Sequence, residues 1–230
     1  MSLLQGFKCN GLMLPSVTDI LASDEKYLTR RKANGLRKTK ENVKRSSDGR
    51  CRGLSIHQSI NQYLLTGETD IQEEYLPFWE GIYKWLRLLD IKPYFAEKPL
   101  LDELSFMQQG DFSCLWSDKY KYAGIPDLIG NVSGVDAVLE FKTSSHLYTK
   151  NYTRDQFHKY HEWHSFSQAA LQAVAYGQAF NEHTDFNINT AIIVVATPTD
   201  SQFLTIEGDE FNSRLKKFKT MANKYNKGKY

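Results

Sequence analysis

Tyr122-Ala123-Gly124-Ile125-Pro126-Asp127-Leu128-Ile129, then Gly130-Asn131-Val132-Ser133-Gly134, then Val135-Asp136-Ala137-Val138-Leu139-Glu140-Phe141-Lys142 is the stretch that decides the fold. Two apolar runs flank a loop of Gly, Asn and Ser, the pattern of a β-hairpin with a connection somewhat longer than the commonest ones. Side chains alternate along a strand, so Glu140 and Lys142 project from one face, and Asp127 reaches that face from the neighbouring strand. Two carboxylates and an ammonium therefore converge in an interior hairpin. Buried charges are costly unless they are paired or bind something, and a divalent cation with a phosphate would satisfy all three. An acidic-x-Lys triplet alone is most often a surface salt bridge. The apolar strand carrying Asp127 is what argues for a site.

Working outward, Ser16 stands as a good N-cap before a short helix over residues 15–21. Residues 25–47 are basic, polar and helical in character. The apolar positions Leu54, Ile56, Ile60, Tyr63 and Leu64 predict an amphipathic helix over 52–65 that Gly67 ends. A second helix over 73–89 carries Tyr75, Phe78, Trp79, Tyr83 and Trp85, read as packing against a sheet. Short strands follow over 94–129, with another over 135–143. A helix over 155–180, an apolar strand over 190–196, its hairpin partner over 202–206 and a basic helix over 209–225 complete the order. The expectation is α/β in the broad sense: a mixed sheet flanked by helices, in a single domain over 1–230 with no internal repeat.

The 230 residues allow a substantial core. No run approaches the ~20 apolar residues of a membrane span. The opening Met1-Ser2-Leu3-Leu4-Gln5-Gly6-Phe7-Lys8 lacks a secretion-signal pattern. Cys9, Cys51 and Cys114 are odd in number and far apart, which argues against a disulfide framework and for a reducing, intracellular setting. Three cysteines cannot supply the four thiolates of an iron–sulfur cluster. The net charge of +2 hides an asymmetry: between Lys26 and Arg52 lie eleven Lys or Arg and two acids, leaving 18 basic and 25 acidic residues elsewhere. Such segregation points to a polyanion-facing patch, although an isolated charge run is more often a solvated helical face.

Three further features bear on the hairpin. His57 follows the basic run and Gly53, a glycine that permits close backbone approach. Gln172 and Tyr176 share a helix face across small residues. His158, His161 and His164 spread around a helix rather than converging, and read as a polar surface. No Walker-type loop and no Gly-x-Ser-x-Gly elbow occurs.

Taken in order, Gly53-x-x-x-His57, Gly124-Ile125-Pro126-Asp127, Glu140-Phe141-Lys142-Thr143-Ser144 and Gln172-x-x-x-Tyr176 resemble the motifs of the PD-(D/E)XK nucleases. Leu14-Pro15-Ser16-Val17-Thr18, Leu171-Gln172-Ala173-Val174-Ala175-Tyr176 and the late Ile192-Ile193-Val194-Val195 strand narrow the resemblance. They are similar to the RecB-like branch, and within it to mitochondrial genome maintenance exonuclease and related phage exonucleases. The resemblance covers roughly residues 14–225. Its single motifs are short, and their joint order is specific. Glu140 stands where close relatives often carry Asp, and the cysteines of the iron–sulfur branch are missing.

The resemblance implies a restriction-endonuclease-like sheet core over about 94–207, a basic helical region over about 14–66 above the active site, and a C-terminal basic helix over 209–226. It implies catalysis by Asp127, Glu140 and Lys142. One or two Mg²⁺ or Mn²⁺ ions would be held by Asp127, Glu140, the Phe141 carbonyl and His57. Arg50, Arg52, Gln172 and Tyr176 would contact DNA, and Glu97 would be an additional acid. The implied activity is a metal-dependent DNA exonuclease acting on single-stranded ends, in replication, recombination or repair. The alternatives are a structure-specific endonuclease and a non-catalytic nucleic-acid-binding protein. The implied setting is the cytoplasm of a bacterium or phage-infected host, or a mitochondrion if a presequence has been removed.

Overall fold

The computed structural model describes residues 6–9, 11–23, 40–109 and 112–228. Numbered along the chain, a hairpin β1 (Phe7–Cys9) and β2 (Leu12–Leu14) precedes helix α1 (Val17–Ala22). Ser16 caps α1 as expected: its hydroxyl accepts from Asp19 N at 2.9 Å, and the Asp19 carboxylate accepts from Ser16 N at 3.2 Å. Helix α2 (Lys40–Thr66) is long, and helix α3 (Leu76–Leu88) follows a 3₁₀ turn over Glu73–Tyr75. Then come β3 (Ile91–Phe95) and the short pairs β4 (Gln108–Gln109) with β5 (Phe112–Ser113), and β6 (Leu115–Ser117) with β7 (Tyr122–Gly124). The chain closes with β8 (Leu128–Val132), β9 (Val135–Thr143), helix α4 (Tyr160–His183), β10 (Thr190–Ala196), β11 (Ser201–Ile206) and helix α5 (Gly208–Asn226).

The central sheet has the order β11-β10-β9-β8-β3 and is mixed: β9 and β10 run parallel, and the other neighbours are antiparallel. Every residue of β10 is buried, as a strand covered on both faces requires. Alternation divides the core in two. Val138, Ile193 and Val195 join Phe166, Ala170 and Phe218 of α4 and α5 on one face. Leu139, Phe141, Ile192 and Val194 join Ile56, Ile60, Phe78, Trp79 and Ile82 of α2 and α3 on the other. By the same alternation Glu140 and Lys142 face the α4 side. The architecture is thus mixed α/β, a central mixed sheet with helices on both faces. Among the described residues no helix is long and apolar enough to cross a membrane.

Several details differ from the sequence reading. The β8–β9 turn is Ser133-Gly134 alone, because Val132 pairs with Val135. Both turn residues have positive φ, 51° and 91°, which a two-residue turn of the primed kind needs. Gly130 lies inside β8 and not in the loop, since a Cβ there would sit 2.5 Å from Lys92 O on β3. The expected strand over 122–129 is broken: 122–124 pairs with β6, and Asp127 sits just ahead of β8. Pro126 removes a ladder donor at the break. Residues 40–66 form one continuous helix across Gly53, and Gly67, at φ 75°, ends it by donating its N–H to Tyr63 O. Cys9 and Cys114 form a disulfide with Cα atoms 7.1 Å apart, which corrects the expectation drawn from their number and separation. The fold brings β1 beside β7 and its partner β6, and separation along the chain does not constrain that.

Candidate active site

The site forms where β9 outruns β8. Their pairing ends at Leu128 with Leu139, so Phe141 has no β8 partner. Its N–H instead donates to Asp127 Oδ2 at 2.8 Å. A residue's N–H and C=O leave a strand on the same edge, so the Phe141 carbonyl faces the same uncovered space. Glu140, 1% exposed, accepts from Lys142 Nζ through Oε1 at 2.5 Å. Lys142 Nζ also donates to Gln172 Oε1 at 3.3 Å, and Gln172 Nε2 donates to the Tyr176 hydroxyl at 3.2 Å. Tyr176 is 4% exposed and is linked to the charged group through Gln172.

Gly124 explains why this relay holds its place. A Cβ there would stand 2.7 Å from Tyr176 Cε1 and 2.9 Å from its hydroxyl. The ring fills the volume that a side chain at 124 would need, so two motifs 52 residues apart are one packing unit. From the other side α2 contributes His57, whose Nδ1 lies 3.0 Å from Asp127 Oδ1. One turn later Asn61 Nδ2 donates to Glu97 Oε2 at 3.4 Å. Glu97 follows β3 in a tight turn with φ 52°, a conformation that non-glycine residues seldom adopt outside constrained positions. Five residues before His57, Arg52 Nε donates to Thr143 Oγ1 at 3.1 Å while its guanidinium covers Phe78 at 4.2 Å. Arg50 is exposed on the same helix.

The electrostatics follow from burial and proximity. Burial, then the neighbouring Asp127 charge, pushes Glu140 up to about 7 despite Lys142. Burial would lower Lys142, but Glu140 and Asp127 outweigh it and hold the ammonium above its ordinary range. Burial would raise Asp127, yet His57, Lys142 and the Phe141 N–H together carry it below the usual value. Asp127 raises His57 in return. Glu97 is raised by burial while feeling both His57 and Asp127.

Among the described residues, two buried side-chain oxygens in this group have no hydrogen-bond partner: Glu140 Oε2 and Asn61 Oδ1. Both are acceptors, and an unmet buried acceptor of carboxylate type fits a hard cation. Among the described residues no three His, Cys, Asp and Glu side chains already stand as a metal cage. The fit therefore rests on a mixed set: two carboxylates and a backbone carbonyl.

The structure thus brings His57, Glu97, Asp127, Glu140, Phe141, Lys142, Gln172 and Tyr176 together, with Arg52 at the margin. Of the basic run, Lys26 to Lys38 lie outside the described residues. His161 and His164 of α4 stay apart from the site, and the His158 side chain lies outside the described residues. His164 stacks on Tyr160 with centroids 5.6 Å apart, and His161 is exposed. Sequence reasoning missed Asn61, Thr143 and the packing role of Gly124. Asn61 was within reach, because it stands four residues beyond His57 on the same helical row. It also missed Tyr148, which feels the Lys142 charge while its backbone is clamped by Gln202.

No protein-family model matches the chain, and no curated protein does either. A crystal structure named "Putative exonuclease" from Eubacterium rectale is similar at a TM-score of 0.44 and 13% identity, covering 94% of this chain and 82% of that one.

Proposed function

We propose that the chain is a metal-dependent deoxyribonuclease that hydrolyses phosphodiester bonds from single-stranded DNA ends, in replication, recombination or repair. One observation carries this reading: Glu140 is almost wholly buried with one carboxylate oxygen unpartnered, beside Asp127 and Lys142 where β9 outruns β8. Asp127, Glu140 and the Phe141 carbonyl would hold one or two Mg²⁺ or Mn²⁺ ions, with the His57 imidazole close by. Such an ion supplies Lewis acidity toward a phosphate and a water acidic enough to attack near neutral pH.

The chain's own groups do the rest. Lys142 stays protonated, so it acts as a hydrogen-bond donor and not as a base. From its seat between Glu140 and Gln172 it offsets the negative charge that grows as water's oxygen bonds to phosphorus and the sugar oxygen leaves. Gln172, set by Tyr176, fixes the ammonium in that seat. Arg52, Arg50 and the basic stretch before them grip the strand.

The test offers linear and closed circular single-stranded DNA of equal length with Mg²⁺ or Mn²⁺, with and without EDTA. The linear strand shortens, the circle persists, and EDTA stops the reaction. Cutting of the circle would replace the exonuclease with an endonuclease. If neither strand is cut, the nuclease reading falls and a nucleic-acid-binding protein takes its place.

A further inference from the structure

The chain leaving β9 is tied down by side chains of β11 and its neighbours. Ser144 N–H first donates to Ala196 O at 2.9 Å. The Gln202 side chain then takes both backbone groups of Tyr148: its Oε1 accepts from Tyr148 N, and its Nε2 donates to Tyr148 O at 3.0 Å. Next, Lys150 Nζ donates to Thr205 O and pairs with Glu210 Oε2 at 3.0 Å. A connection at the surface can meet its backbone groups with water, so a glutamine amide spent on both groups of one residue marks a side chain that is being held in place.

The sheet register shows where Tyr148 is held. Lys142 pairs with Val195, and Val195 with Gln202, so the three make one cross-strand row. Val195 packs on the α4 side, and Gln202 shares its alternation with Leu204 and Ile206, which pack there too. At ~4.8 Å per strand the Gln202 backbone stands about 10 Å from that of Lys142. Tyr148, seated on Gln202 and packed against the α4-side core, spans the interval, and its hydroxyl and the Lys142 ammonium feel each other. The hydroxyls of Ser165 and Ser144 are its other polar neighbours. Ser144 Oγ already accepts from His146 N at 3.2 Å, so its own O–H is left to donate toward the phenol oxygen. Ser165 lies two turns before Gln172 on one face of α4, so Gln172 and Tyr148 flank Lys142 from different turns of that helix. Burial raises the phenol above its ordinary range against the Lys142 charge and both serines, which keeps it a donor and not a base.

We propose that Tyr148 is a further catalytic residue, its hydroxyl donating to a phosphate oxygen of the strand beside Lys142, and that Gln202 is the positioning residue that holds it there. The role rests on the nuclease reading above. A phenol gives that phosphate a second donor without placing a second positive charge against the ammonium. A tyrosine that only packs would need its ring and not its hydroxyl.

Tyr148→Phe, Gln202→Leu and the double variant, made in the full chain, test this on a labelled oligothymidylate in Mg²⁺. Tyr148→Phe keeps the ring and should lose about 10- to 100-fold in kcat, the scale of one hydrogen bond to a charged oxygen, with KM near wild type. Its melting temperature and its Mn²⁺ affinity by calorimetry should match the wild type. Gln202→Leu should slow cleavage about 10-fold by loosening Tyr148. The double variant should be no slower than Tyr148→Phe, because the two residues act as one unit. Tyr148→Phe cutting at the wild-type rate overturns the catalytic role, and so does a slow variant that also melts lower or binds Mn²⁺ more weakly. Losses that multiply in the double variant overturn the positioning role of Gln202. If the wild type leaves the strand uncut, the nuclease reading fails and the role of Tyr148 with it. If the wild type cuts and Tyr148→Phe cuts equally, only the role of Tyr148 fails.

Discussion

Helices α2 and α4 reach the same charged residues from opposite sides, yet they are built differently. Between Phe166 and Phe180, α4 buries twelve residues, spread over most of its circumference, and its polar contribution, Gln172, emerges from a packed wall. The described part of α2 rests on the sheet through Ile56 and Ile60, leaving Leu54 57% and Leu65 41% exposed. The α4 side fixes a charge: Gly124 admits the Tyr176 ring, Tyr176 sets Gln172, and Gln172 holds Lys142. The α2 side touches the site through side-chain tips, at His57, Asn61 and Arg52. Dense packing positions, and sparse packing admits. On the nuclease reading proposed above, a site that holds two like charges rigidly and still accepts a polymer needs both.

The largest effect should come where the two sides meet. Lys142→Ala should cut the cleavage rate by about 10²–10³-fold, the scale of removing one donor aimed at developing charge. Oligonucleotide binding in EDTA should stay close to wild type. Cleavage at the wild-type rate would remove Lys142 from the site and with it the point of the α4 relay.

The next largest is a pH effect on the metal-free protein. Burial lifts Glu140 in the folded state from 4.5 to about 7. A raised folded value means the group's contribution to stability is fully present below about 4.5 and is lost as pH rises through about 7. His57, also raised, acts with the same sign. The melting temperature should therefore fall between pH 5 and pH 8, by an amount reflecting about 3 kcal/mol at most from Glu140. Glu140→Gln should flatten that slope, and Mg²⁺ should restore stability at pH 8. A slope unchanged in Glu140→Gln would show that the titrating group lies elsewhere.

The smallest effect sharpens the contrast between the helices directly. Gly124→Ala drives a methyl into a ring held by α4 and should cost about 1–3 kcal/mol in urea denaturation. Leu54→Ala on α2 should change stability by less than about 0.5 kcal/mol. Equal costs would mean that the two walls are packed alike.

Much of this was legible in the chain because it depends on short-range rules. The capping of α1 by Ser16, the end of α2 at Gly67 and the seven-residue apolar strand β10 follow from local chemistry and period. Placing Glu140 and Lys142 on one face needed only the two-residue repeat of a strand. The turn between β8 and β9 was set three residues too wide, since Gly130 reads as a loop residue until β3 is seen lying across it. Residues 25–47 and 52–65 read as two separate helical stretches, but α2 runs unbroken from Lys40 to Thr66, with Ile56 and Ile60 resting on the sheet.

The sequence by itself determined which residues carry charge, how they alternate, and that acids and a lysine fall at hairpin spacing, because these depend on neighbours along the chain. Only the tertiary structure decided that Tyr176 occupies the space of a missing side chain at Gly124, that Cys9 meets Cys114, and that Asn61 reaches Glu97. It also decided that Glu140 is left with one unmet oxygen. Those facts depend on which distant surfaces come to rest against one another, and burial, the quantity that moves the charges of the site, exists only once they have.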